Sequence, residues 1–159
     1  MPILADMESY TEARSALAVA ERAGAAPYID YPPTPKWYPA AVGAWLAAMI
    51  VVCHGASERP AVFVPALLVL LAAEGAFFAW YRRRWQTWPS MRNAPREIHA
   101  AYRRYAVGVT LAFAIGIATY VLISPYVAAV LAFVLTTAGL TLYERDYANA
   151  AEATRRRLG

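Results

Sequence analysis

Four runs of roughly 18 to 21 residues, each nearly free of charge, constrain this chain more than any other feature. At about 1.5 Å per residue, each is long enough to cross a hydrocarbon layer ~30 Å thick. They fall at about 37–54, 60–81, 105–123 and 125–143. The chain is 60% apolar over 159 residues, with a mean hydropathy of +0.34, whereas an ordinary soluble domain is about half apolar. Four such runs in succession are not the pattern of a buried soluble core. The expected fold is all-α: four transmembrane helices arranged as two hairpins. An N-terminal amphipathic helix and helical extensions of the third and fourth spans complete it on the cytoplasmic side.

Arginine placement sets the expected threading. The segment before the first span carries Arg14, Arg22 and Lys36. The connection 82–104 carries Arg82, Arg83, Arg84, Arg92, Arg96, Arg103 and Arg104, and the tail 144–159 carries Arg145, Arg155, Arg156 and Arg157. Only Arg59 falls on the other side. Positive residues stay in the cytoplasm, so both termini and the central connection are expected there, in a multi-pass protein of the bacterial plasma membrane. The net charge of +4 sits at span boundaries, so topology accounts for it and no nucleic-acid partner is expected. Residues 1–14 lack the basic and apolar regions of a cleaved signal peptide, so the first span is expected to serve as its own targeting signal.

The polar segments have their own signals. Ser9 and Glu12 have the spacing of a capping box, and an amphipathic helix is predicted over 10–23. Tyr10, Ala13, Leu17 and Ala20 form its apolar stripe, and Gly24 is its stop. Prolines 27, 32, 33, 35 and 39 then predict an extended elbow whose Tyr28, Tyr31, Trp37 and Tyr38 suit a headgroup belt. Ser124-Pro125 reads as an N-cap followed by a first-turn proline, turning the third span into the fourth. Pro95 opens a helix that runs into the third span. Glu152 and Arg156 pair at i,i+4 spacing on a helical tail, where Tyr143, Tyr147, Ala151 and Leu158 can pack on the N-terminal helix. Ala41-Val42-Gly43 with Leu46-Ala47 recurs as Ala106-Val107-Gly108 with Leu111-Ala112, a hint of duplicated hairpins.

Chemistry is sparse. Glu74 is the one carboxylate well inside a span, about 12 Å along the helix from Arg82. An ionised carboxylate facing lipid costs at least ~2.5 kcal/mol, so Glu74 is expected to face the interior. Depth picks Thr136, Thr137, Thr110 and Trp45 as donors. The acid either couples a proton or cation, or fastens helices together. Cys53, His54 and Glu58 are too few and too poorly spaced for a zinc site, and no cofactor motif occurs, so neither metal nor cofactor is expected. Arg82, Arg83, Arg84, Arg96, His99, Arg103 and Arg104 are candidate contacts to anionic lipid or a partner. Gly108, Ala112 and Gly116 form a small-residue ridge serving the bundle or a dimer. These features predict a non-enzymatic accessory, assembly or regulatory partner of another membrane protein. The alternative is a small oligomeric transporter or channel with Glu74 as its coupling acid. The lipid bilayer and a membrane-protein partner, or a second copy of the chain, are the expected contacts.

Overall fold

The computed structural model describes residues 2–30, 34–85 and 94–158, with the side chains of all these except 2–9, 11, 84 and 85. Five helices account for nearly all of it: α1 (Pro2–Ile29), α2 (Tyr38–Glu58), α3 (Pro60–Trp85), α4 (Arg96–Leu122) and α5 (Pro125–Leu158). No strand occurs among the described residues.

Helices α2 to α5 are each long and apolar enough to cross a membrane. Their apolar windows are between 0% and 11% buried within the chain. Val62, Leu68, Phe113, Val121 and Val130 all point outward and are more than half exposed. A helix apolar all round that is not covered by its own protein needs lipid as its solvent. The chain is therefore a multi-pass helical membrane protein.

The turns are tight. Arg59 alone separates α2 from α3. Its N–H closes α2 on the Gly55 carbonyl at 2.7 Å, and its own carbonyl accepts from Val62 and Phe63. At the other hairpin, Ser124 Oγ accepts the Tyr126 N–H at 3.2 Å, and Pro125 takes the first helical position. This is the N-cap arrangement read from the sequence. Pro65 lies within α3 without ending it.

The four spanning helices pack in the order α3, α2, α5, α4, and α1 joins α5 at its far end. No contact of α3 with α4 matches that of α2 with α5, although two parallel repeats about one axis would require it. Helix α5 is 34 residues long, so its part beyond Tyr143 extends ~22 Å past the apolar layer. The start of α4 and the end of α1 pack there, forming a small polar-end cap. It buries Ile98 and Thr154 fully, and Ala25, Ile29 and Ala151 form a small apolar cluster with Leu158 packed against it.

The N-terminal region differs from expectation. Helix α1 begins at Pro2, so Ser9 lies inside it and is not its cap, and it runs through both Gly24 and Pro27 to Ile29. A helical proline forfeits one hydrogen bond and crowds the carbonyl four residues back, a cost of about 3 kcal/mol. Here Ala25, Tyr28 and Ile29 are buried after the burial-free stretch 12–24. Tyr147 Oη donates to the Tyr28 carbonyl at 2.9 Å, and Arg155 donates to that of Ile29. Tertiary contacts thus carry the helix past a local breaker. Tyr28 consequently sits in the cap core and not in a headgroup belt. Tyr31, Pro32 and Pro33 lie outside the described residues, while Pro39 falls in the first turn of α2.

Candidate functional site

Glu74 lies on α3, a helix that packs on α2. Two contacts set the register of this antiparallel hairpin. A Cβ on Gly55 would fall 2.6 Å from the Phe63 ring, and the Tyr38 ring stacks on Phe77 at 6.4 Å. Glu74 is eleven residues after Phe63 and so ~20° round α3 from it, on the face that meets α2. Trp45 is seven residues after Tyr38, again ~20° away, on the face of α2 that meets α3. Helical side chains lean toward their own N-terminus. In an antiparallel pair at this register, Trp45 and Glu74 therefore lean toward each other. Trp45 Nε1 is buried without a hydrogen-bond partner. Glu74 is half-buried and forms no hydrogen bond or ion pair among the described residues. A donor and an acceptor, each unsatisfied, thus share one interface within the apolar layer.

The threonines do not gather round Glu74. Thr110 is exposed on α4, and its hydroxyl donates to Ala106 O at 2.9 Å within its own helix. Thr137 faces α2, donating to Pro39 O at 3.5 Å, and its carbonyl accepts from Thr141 at 2.7 Å. Thr136 is half-buried on α5. Thr137 instead marks a close seam between α2 and α5. A Cβ on Gly43 would meet Thr137 Oγ1 at 2.6 Å and the Phe133 carbonyl at 2.8 Å. A Cβ added on Gly108 or Gly116 would meet nothing within 4 Å, so neither glycine is required by a close approach inside the chain.

The polar end carries a second cluster, which sequence reasoning largely missed. Arg157 on α5 pairs with Glu21 of α1 and with Glu97 of α4, the latter at 2.9 Å. Arg22 of α1 donates to the Leu158 carbonyl, while Arg155 of α5 donates to that of Ile29. Each helix thus places a cation at the exposed C-terminal carbonyls of the other, where the helix dipole is negative. Beneath this clasp, the rings of Tyr102, Tyr105, Tyr143 and Tyr147 meet tilted or edge-on with centroids 4.5–6.1 Å apart. Their i,i+3 and i,i+4 spacings were the available signal. Burial, with Tyr102 and Tyr28 adjacent, pushes the Tyr147 phenol up to about 12.

Glu97 is held below the usual carboxylate range. Its own backbone N–H is the largest cause, and the Arg157 charge and the hydrogen bonds from Arg157 and Thr154 add to it against partial desolvation. A depressed folded-state value contributes stability above the ordinary carboxylate range, and that contribution disappears as pH falls through the folded value. We expect the protection of amides over residues 96–102, relative to their intrinsic exchange rates, to fall in acid below about pH 4.5, the ordinary value. Glu97→Gln should show lower protection at neutral pH and lose that acid-dependent fall.

The basic residues differ in whether they meet a carboxylate. Arg104 pairs with Asp146 at 3.3 Å, and Arg155 and Arg156 pair with Glu152. Arg82, Arg83, Arg96, His99 and Arg103 are exposed and have no ion pair among the described residues. The Arg84 side chain and all of Arg92 lie outside the described residues. At the opposite end, His54 Nε2 lies 3.4 Å from Glu58. Its ring meets the Tyr120 and Tyr126 rings edge-on at 6.1 and 5.9 Å, joining α2 to α4 and α5. Cys53 is exposed beside it, and no group of three metal-ligating side chains converges among the described residues. No protein-family model, curated protein or solved structure matches the chain.

Proposed function

We propose that this is a non-enzymatic accessory, assembly or regulatory partner of another membrane protein. It sits in the bacterial plasma membrane with both termini in the cytoplasm. One observation carries the reading: among the described residues, the hydrogen bonds and ion pair that anchor α1 to α5 come from residues 21–29, and α1 overhangs the end of α5. The two helices run antiparallel there, since Tyr28 meets Tyr147 while Arg22 meets Leu158. Residues 2–20 therefore reach ~28 Å beyond the clasp. Along that overhang Tyr10, Ala13, Leu17 and Ala20 are all exposed, Tyr10 and Leu17 by 69% and 71%. A helix of this length without tertiary contacts is marginal in water. An apolar stripe held out by a clasped base supports a docking element. The arginine distribution supports the threading.

The test is purification of the tagged full chain from native membranes in mild detergent. A stoichiometric membrane-protein partner is expected, and Leu17→Asp should release it while leaving the thermal midpoint of the purified chain unchanged. A chain that emerges alone, or a partner retained by Leu17→Asp, refutes the reading.

The Trp45–Glu74 interface favours a second reading, a small oligomeric transporter or channel with Glu74 as its proton- or cation-coupling acid. Proton-gradient-driven flux in reconstituted vesicles that Glu74→Gln abolishes would select it. Undiminished flux, or none with either form, would remove it.

A further inference from the structure

We propose that the outer face of α4 holds an acidic phospholipid, with its phosphate at Arg103 and His99 and one acyl chain along the helix below them. The inference rests on the membrane-spanning reading of α4 and on no partner. Arg96, His99 and Arg103 lie within ~60° of one another round the helix. Ile98, Ala101 and Tyr105, which are buried or half-buried, lie roughly opposite. The basic stripe therefore points away from α5. Threading alone explains why arginines collect at this end, but not which of them are left without a carboxylate. Arg104 and Arg157 pair with carboxylates of neighbouring helices, and Arg155 and Arg156 with Glu152 of their own helix. Glu97, the immediate neighbour of Arg96, turns inward to Arg157 and Thr154. The stripe is left with positive charge and no anion among the described residues.

Depth and shape identify the anion. The apolar stretch of α4 begins at Tyr105, so Arg103 stands ~3 Å and His99 ~9 Å beyond the hydrocarbon, within the headgroup layer and its outer edge. Arg96 lies one turn further out, inside the ~8–10 Å over which its field draws an anion in. On the same face Val107, Thr110 and Ala114 follow toward the membrane centre, all exposed. Thr110 returns its hydroxyl to Ala106, so no donor on this track needs water. From Val107 to Ala114 the track spans ~10 Å, most of one leaflet's ~15 Å. A charged head followed by an apolar track is the shape of a phospholipid. A soluble phosphate would use the first part only.

The experiment is native mass spectrometry of the full chain in nonionic detergent with equimolar phosphatidylglycerol and phosphatidylcholine. The unmodified chain should retain phosphatidylglycerol preferentially. Arg96→Gln/His99→Gln/Arg103→Gln should reduce that preference about tenfold or more, as expected from removing two arginines at a membrane surface. Arg82→Gln/Arg83→Gln removes the same formal charge from α3 and should leave the preference intact. If the triple variant does not fold, Arg103→Gln should weaken the preference and Arg103→Lys should keep it. Equal retention of the two lipids would overturn the proposal, as would equal loss in the α3 variant. Displacement of the lipid by excess inorganic phosphate would assign the stripe to a soluble anion and overturn it as well.

Discussion

Gly43→Ala is expected to lower the unfolding midpoint in mild detergent. The added Cβ falls 2.6 Å from Thr137 Oγ1 and 2.8 Å from the Phe133 carbonyl oxygen. Thr137 could rotate, but that would break its bond to Pro39 O. The Phe133 carbonyl belongs to the backbone of α5 and moves only if the helices separate. Overpacking of this kind costs about 1–3 kcal/mol. In lipid no hydrophobic effect holds helices together, so close backbone approach is a main source of attraction. The contact of α2 with α5 also joins the two hairpins. The expected signature is therefore a lower midpoint together with weaker crosslinking between cysteines placed on α2 and α5. Gly108→Ala is the control: its Cβ meets nothing within 4 Å, so its midpoint should not fall. A Gly43→Ala chain as stable as the unmodified one would mean that α2 and α5 do not approach as described.

The contrast between Gly43 and Gly108 shows where sequence reading stopped. The two glycines occupy equivalent places in the repeated Ala-Val-Gly patterns, yet only one lies in a seam. The existence of four long apolar helices was legible because lipid imposes length and apolarity on every span. Which face packs was not legible, because lipid and a neighbouring helix are both apolar and periodicity cannot separate them. The turn at Ser124-Pro125 was readable because its chemistry is local. Pro27 and Gly24 misled for the same reason in reverse: their preferences are local, and contacts from Tyr147 and Arg155, more than 110 positions away, override them. The clasp of Arg157 with Glu21 and Glu97 brings together three helices distant in sequence, and no spacing announces it. For Glu74, its isolation in an apolar run made it conspicuous, and Trp45 was among the donors chosen by depth. The threonines chosen with it lie on α4 and α5, across a layer in which α3 packs on α2.

Ile98→Ala is expected to open the polar-end cap without separating the hairpins. Ile98 is completely buried, as is Thr154, and it lies on the turn of α4 that carries Glu97 to Arg157. Removing its side-chain carbons leaves a void beneath the clasp, and large-to-small changes at such sites cost about 2–5 kcal/mol. The cap's remaining apolar core is small, chiefly Ala25, Ile29 and Ala151 with Leu158 packed against it. Its ion pairs are partly exposed and add little that is independent of packing. A loss of that size should therefore release the first turns of α4 and the base of α1 as a local unit. Limited proteolysis should then cut within 94–104 and near Gly24, and amide exchange there should rise by orders of magnitude. The Gly43–Thr137 seam lies in the apolar layer, and crosslinks between α2 and α5 should persist. Two contrary results are informative. Unchanged proteolysis would mean that the clasp alone holds the cap. Simultaneous loss of the α2–α5 crosslink would mean that cap and membrane layer unfold as one unit, in which case a partner gripping α1 could act directly on the packing of the spans.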